Sequence, residues 1–491
     1  MSRKAIEGLK PKILWQRFYE ISQVPRPSKK EEKIREYLRN TLNEIKIDFE
    51  EDEVGNIAAK VPASKGYEKA DVVVLQGHID MVCEKNKATT HDFENDPIKL
   101  LRQDGWITAN GTTLGSDNGI GVAAALAVAT DQDVVHGPLE LLFTVDEETG
   151  LTGANNLKPG FITGKTLLNM DSEEDGAFYV GCSGGMDTMG EFDVPKESSH
   201  IDALPYELQV TGLKGGHSGL DINTGRANAI KLLARALQQL KNVDYRIGKI
   251  DGGSLRNAIP REAEAVVMIN PVDEKQITEI ISSFEQQLLI EYKITDGGLK
   301  INFKKIADAP AEVFEKSFSD NLINLLLAMP HGVIAMSQDI SGLVETSTNL
   351  ATIKMSENKL SIGTSQRSSI ESSKRFINSS VASVFTLAKA NNIKVGDGYP
   401  GWKPDMKSKI LKTSIEVFRE LFKKEPEIKA IHAGLECGIL GDRNHGLDMV
   451  SFGPTIEGAH SPDERVNIET VEKFYNLLKG ILKKLTENVL S

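Results

Sequence analysis

Cysteine is scarce in this chain: 491 residues hold three, Cys83, Cys182 and Cys437. None belongs to a C-x-x-C pair, which excludes a disulfide framework and a thiolate metal site and leaves three thiols expected to be buried and reduced. Positive charge is in deficit. Fifty-eight Lys and Arg face 70 Asp and Glu, a net charge of −12, which argues against nucleic acid as a partner, because a polyanion is held by Lys and Arg that displace its counterions. No apolar run is long enough to cross a bilayer. The opening segment, "MSRKAIEGLKPKILWQRFYEISQ", alternates apolar and charged residues at helical spacing, without the apolar stretch of a secretory signal. A cytoplasmic protein with no membrane partner is expected. Low-complexity tracts and fixed-period repeats are missing too, while 40% hydrophobic and 26% charged residues are ordinary for a folded, soluble chain.

The length exceeds what one hydrophobic core supports, so two domains are expected. From about residue 70 to 185, short apolar runs alternate with a helix-like run: "DVVVLQGH", "GIGVAAALAVAT", "PLELLFTVDEE" and "KTLLNMDSEE". That alternation reads as α/β with strands buried on both faces. It returns late in "MKSKILKTSIEVFRELF", "EIKAIHAG" and "GLDMVSFGPTIEGAHS". Between them lie other strands, such as "YELQVTGL", "AEAVVMIN" and "KLSIGTSQ", and helices such as "RANAIKLLARALQQL". The predicted organisation is a discontinuous α/β domain, 1–186 and 400–491, interrupted by an inserted α+β domain, 187–399. Gly184-Gly185 and "GDGYPGW" are candidate hinges.

Open α/β sheets gather their functional groups at the carboxyl ends of strands. Here His78 and Asp80 follow the first run, Asp146, Glu147 and Glu148 follow "LELLFTV", Asp171 follows "TLLNM", and His460 lies in the loop after "MVSFG". Asp117, in "TTLGSDNGIG", sits where a glycine-rich turn feeds a helix starting near Gly119. Strand and turn ends that deliver imidazole and carboxylate suggest a metal site of the zinc or manganese type. The charges of Asp117, Glu148 and Asp171 suit two divalent ions better than one, with Asp117 as the natural bridge and a shared water acidified between the ions. Glu147 and Glu148 are expected on extended backbone, pointing to opposite sides, so that one binds metal while the other handles protons. Asp80 lies on the same side of its strand as His78, placed to receive the second ring N–H.

Each residue also has a plainer reading. Asp117 fits a helix cap, Glu147 and Glu148 a solvated turn, and His217, in "GGHSG", a loop histidine. Single polar residues such as Asn257 and Arg367 often do local work. His91, His136, His200, His331, His432 and His445 are taken as structural or surface.

The segments "GHIDMVCEKN", "DGWITANGTTLGSDNGIG", "TVDEETGLTGA", "NMDSEEDGAFYVGCSGG", "GGHSGLDINTGRANA" and "SFGPTIEGAHSPDERV" together resemble the M20 family of di-metal peptidases, and within it the aminoacyl-histidine dipeptidases, over essentially the whole chain. The resemblance implies one zinc held by His78 and Asp171, another by Glu148 and His460, and Asp117 bridging them. It implies Glu147 as general base, Asp80 as the clamp on His78, and a cis peptide at Asp117–Asn118. It makes the inserted domain a lid and dimerisation domain whose His217 stabilises the oxyanion, with Asn257 and Arg367 binding the substrate's polar ends. Aspartate at Asp171 resembles the members acting as aminopeptidases and dipeptidases. The implied activity is hydrolysis of dipeptides, Xaa-His by preference and β-alanyl-histidine among them, by a homodimer using two zinc ions, manganese or cobalt being possible. The alternatives are a tripeptidase or aminoacylase on the same core, or a non-catalytic metal-dependent binding protein.

Overall fold

The computed structural model describes residues 2–199 and 202–487, so His200 lies outside the described residues. The architecture is α/β with an inserted α+β unit. The chain divides into two compact units, Met1–Gly181 with Pro404–Ala430 and Leu435–Ser491, and Cys182–Lys403 with Ile431–Gly434. The brief return of Ile431–Gly434 to the second unit has no mark in the sequence pattern.

The first unit is built on an eight-stranded sheet in the order Asp48–Glu51, Ile57–Val61, Leu139–Thr144, Val73–His78, Thr166–Asn169, Asp448–Ser451, Ala177–Cys182, Glu427–Ile431. Val73–His78 runs parallel to both neighbours, and Thr166–Asn169 runs parallel to Asp448–Ser451. Every residue of Val73–His78 and Leu139–Thr144 is buried, which is why these strands read as unbroken apolar runs. The helix Ser116–Val128 connects them. Its Ala-rich run is buried all round, a pattern that belongs to a helix inside the core. It packs against the helix Lys12–Ser22, whose Trp15 and Phe18 are fully buried edge to face. Because the central strands share one direction, their carboxyl ends open on one edge of the sheet.

The second unit contains a nine-stranded sheet with two halves of the same topology. Leu204–Thr211, Tyr245–Gly252, Ala263–Ile269 and Lys300–Lys305, with helices Ala229–Gln239 and Glu274–Glu291, form a split βαββαβ arrangement in the spatial order 4-1-3-2. Gly184–Asp193, Val344–Ser356, Lys359–Ser368 and Asn392–Val395, with helices Lys316–Ala328 and Glu371–Leu387, repeat that order. The first half is inserted after the first strand of the second, and the halves join edge to edge where Gly252 pairs with Ile353. One cluster that includes Leu208, Leu233, Val267, Leu350, Ile362 and Phe385 fills the core under both. The two glycine-rich candidate hinges meet here, Gly185 pairing with Tyr399 and Cys182 with Trp402.

Cys182 and Cys437 are buried, but Cys83 is half-buried, contrary to the expectation of three enclosed thiols. Among the described residues no helix is long and apolar enough to cross a membrane.

Candidate metal centre

Four strand-end loops and one helix start bring the predicted ligands of the first unit together. Nε2 of His78 lies 3.1 Å from Asp117 Oδ1 and 3.2 Å from Asp171 Oδ1. Nε2 of His460 lies 3.2 Å from Asp117 Oδ2 and 3.0 Å from Glu148 Oε2. The two oxygens of one carboxylate therefore face two different imidazoles. Among the described residues ligand atoms converge in four sets, His78 with Asp117 and Asp171, Asp117 with Glu148 and His460, His78 with Glu147 and Glu148, and, apart from the predicted ligands, Glu31 with Asp80 and Asp146. Asp117 is common to the first two.

The local backbone explains how the side chains arrive. Asp117 and Asn118 leave helical geometry inside the helix Ser116–Val128, and the peptide between them is cis, as the resemblance implies. The Asn118 amide donates to Met170 O at 2.6 Å, fastening this turn to the strand end that precedes Asp171. A Cβ at Gly77 would stand 2.3 Å from Asn118 Oδ1, and one at Gly121 2.5 Å from it. Glycine at both positions is therefore what lets the amide lie between strand and helix. His460 adopts a left-handed φ of 62° and Asp146 one of 50°, uncommon for residues with a Cβ and typical of constrained functional loops. Glu147 and Glu148 are not on extended backbone as expected. They open a four-residue helical turn, Glu147–Gly150, which Asp146 secures by accepting from the hydroxyls of Thr149 and Thr152. Adjacent residues on that turn still point differently, since about 100° separates them.

Asp80 is fully enclosed. Its Oδ1 lies 3.3 Å from His78 Nδ1 without well-aligned hydrogen-bond geometry, and its carboxylate accepts from Ser28 Oγ at 2.7 Å, Glu147 N at 3.1 Å and Glu148 N at 3.3 Å. Below the strand ends runs a buried polar ladder. Gln76 Nε2 donates to Glu436 Oε2 at 2.6 Å, Thr144 Oγ1 to the same oxygen at 2.7 Å, and Asn169 to Gln76.

The donor set suits a divalent cation. It consists of imidazole nitrogen and carboxylate oxygen, and Asp171 Oδ1 and Glu148 Oε1 are buried with no hydrogen-bond partner. Electrostatics agree. Burial raises Asp171 to about 7, against the pull of His78, with Asp117 and Glu148 adding to the rise. Hydrogen bonds to Asp117 and Glu148 push His460 up to about 11. For Asp117, burial is outweighed by hydrogen bonds from His460 and His78, which hold its carboxyl well below the usual range. Burial raises Glu147 well above an ordinary glutamate, although His78 opposes it, and Glu436 rises to about 7 for the same first reason. His78 opposes the rise at Asp171, Glu147 and Glu436 and adds to the fall at Asp117. The His78 side chain is 1% exposed and that of His460 55%, so the cluster opens to solvent on the His460 side.

In the second unit, Ser218 gathers the other predicted residues. His217 pairs with Ala258 in a short ladder, Ser218 N donates to Asn257 O at 2.8 Å, and Arg367 Nε reaches Ser218 Oγ at 3.4 Å. Asn257 is exposed, whereas Arg367 is buried and donates to Tyr399 Oη at 2.9 Å. His217 Nδ1 accepts from Gly219 N at 3.2 Å and Leu220 N at 3.1 Å, which leaves Nε2 to carry the proton of the neutral ring. Burial, helped by Arg367, lowers this imidazole to about 4. Asp221 Oδ2 accepts from His217 N at 2.8 Å and so fixes the loop.

Sequence reasoning missed Arg26, Ser28, Glu436 and Glu464 in the first unit and Tyr399 in the second. None lies at the end of an apolar run, the one signal used to find the others.

Residues 74–484 match peptidase family M20/M25/M40. The chain is 42% identical over 481 residues to the cytosol non-specific dipeptidase of Escherichia coli, covering 98% of this chain and 99% of that one. It is similar in structure to the aminoacylhistidine dipeptidase of Vibrio alginolyticus, with TM-score 0.89, 42% identity and 97% of each chain covered. An aminopeptidase of Bacillus cereus shares the fold at TM-score 0.57 and 17% identity, covering 97% of this chain and 99% of that one. The chain belongs to peptidase family M20/M25/M40 and is a hydrolase of peptide bonds.

Proposed function

We propose that the protein is a two-metal dipeptidase acting on free dipeptides, Xaa-His by preference and β-alanyl-histidine among them. The observation that carries this reading is Asp117, whose two oxygens face His78 and His460 at 3.1 and 3.2 Å. One ion would be held by His78, Asp171 and Asp117, the other by Asp117, Glu148 and His460. When bound, two divalent cations supply Lewis acidity, acidifying a water and polarising the scissile carbonyl. Zinc is the first choice, with manganese or cobalt accommodated by the same donors.

The chain's own groups then do the proton work. Asp80 takes the His78 Nδ1–H and leaves Nε2 free as a ligand. Glu147, whose buried carboxyl holds a proton more readily than an ordinary glutamate, removes a proton from the attacking water and passes it to the departing amine. His217, neutral and carrying its proton on Nε2, donates to the carbonyl oxygen as it becomes an oxyanion. Arg367 pairs with the substrate carboxylate, its guanidinium already oriented by Tyr399, and Asn257 takes a further polar end. The first unit serves as catalytic domain and the second as lid, in a cytoplasmic homodimer.

The Escherichia coli and Vibrio relatives, named for non-specific and for aminoacylhistidine cleavage, support a dipeptide substrate under names of different breadth. Preference for C-terminal histidine is tested by ranking kcat/KM across Xaa-His, Xaa-Gly and Xaa-Leu dipeptides and N-acetyl amino acids. Equal rates for all dipeptides would remove the preference. Cleavage of N-acetyl amino acids alone would replace the dipeptidase with an aminoacylase.

A further inference from the structure

Two buried charges outside the ligand set meet on one peptide unit. Arg26, 2% exposed, donates through Nη1 to Ile79 O at 3.0 Å and Asp80 O at 2.6 Å, and through Nη2 to Gly115 O. Glu464, also 2% exposed, accepts through Oε2 from Leu114 N at 2.7 Å and Gly115 N at 2.9 Å. Its Oε1 accepts from Ser116 N at 2.7 Å, Ser116 Oγ at 2.6 Å and Asp117 N at 3.3 Å. Gly115 thus gives its N–H to one charge and its carbonyl to the other. Its φ of 69° is left-handed, and a Cβ there would lie 2.5 Å from Arg26 Nη2 and 2.8 Å from Met81 Sδ.

Removing two charges from water is costly, and a buried pair is a weak source of stability. What these two side chains accomplish is geometric. Arg26 ties the loop carrying Asp80, next to His78, to the Gly115 turn. Glu464, in the same loop as His460, ties that loop to the same turn immediately before Asp117. We infer that Arg26 and Glu464 are positioning residues that brace the loops of His78, Asp117 and His460 against one another and thereby hold the shared ligand Asp117 in place between the two ions. The inference rests on the two-ion reading of the site.

Conservative variants test it. Glu464→Gln preserves shape but turns an NH2 toward backbone donors, and Arg26→Lys preserves charge but replaces a planar fork with a point donor. Zinc affinities of full-length wild type and variants are measured by chelator competition, cobalt(II) absorption spectra report each ion's coordination, and hydrogen exchange at residues 114–117 is followed without metal. Affinity should fall by about 10- to 100-fold in either variant, the range for groups that orient ligands, at one ion or at both, and the amides of 114–117 should exchange faster in Glu464→Gln. Wild-type affinity for both ions in both variants, or unchanged exchange at 114–117 in Glu464→Gln, would overturn the brace. If wild type takes up only one ion, the two-ion reading falls by itself. The brace is then judged on that ion, and unchanged affinity in both variants overturns it.

Discussion

Asp80 Oδ1 stands 3.3 Å from Nδ1 of His78, on the side of the ring opposite the nitrogen that faces Asp117 and Asp171. The same carboxylate accepts the backbone N–H of Glu147 and Glu148, so one side chain holds the loop of the proposed base and stands beside the proposed ligand His78. Asp80→Asn should lower metal affinity by about 10- to 100-fold, read as metal content after dialysis against a weak chelator. Full retention of metal would show that Asp80 does not orient His78.

Glu147→Gln separates proton transfer from metal binding. General bases contribute about 10²- to 10⁴-fold, so kcat should fall within that range while elemental analysis still finds the wild-type metal content. Loss of metal together with activity would make Glu147 a ligand, an arrangement its grouping with His78 and Glu148 allows.

His217 should act as a neutral donor. Its pKa is lowered to about 4 by burial and Arg367, so it stays uncharged from pH 5 to 8 and puts no inflection near 6.5 into the pH dependence of kcat/KM. Removing one oxyanion donor costs about 10²- to 10³-fold in kcat, and His217→Ala should show that loss with KM changed far less. His217→Gln, which keeps an N–H, should recover part of it. A loss confined to KM would assign His217 to ground-state binding.

The strand-end pattern exposed His78, Asp80, Glu147, Glu148, Asp171 and His460 because each follows an apolar run closely in sequence. Arg26 and Glu464 were illegible for the opposite reason. They act on Gly115 across 89 and 349 residues, and Glu436 reaches Gln76 across 360. Local periodicity carries no trace of such contacts. The doubled topology of the second unit was hidden because one half interrupts the other after its first strand, so no fixed period survives. The helical turn at Glu147–Gly150 was misread as extended because its conformation depends on Asp146 at a left-handed φ and its two threonine partners, chemistry that four residues of sequence do not announce.

Acid should weaken the second unit. His331 and His432 are held near 4 and 3, burial being the first cause in both, with Lys231 beside His331 and Arg367 beside His432. An unfolded imidazole takes up a proton near 6.5. Below that pH the unfolded state therefore binds more protons than the folded state, and stability falls until the folded pKa is reached. Each such group contributes a slope of up to about 1.4 kcal/mol per pH unit. His331→Gln should flatten the decline in Tm between pH 6.5 and about 4 relative to wild type. An unchanged slope would mean that His331 is protonated in the folded protein.

The most direct test of the central claim is hydrolysis of β-alanyl-histidine and a panel of free dipeptides by the purified protein, before and after chelation, after zinc return, and with Glu147→Ala alongside. The account predicts cleavage that is lost on chelation, restored by zinc, strongest for C-terminal histidine, and reduced by about 10²-fold or more in Glu147→Ala. No turnover of any dipeptide by protein shown to hold two ions would contradict it.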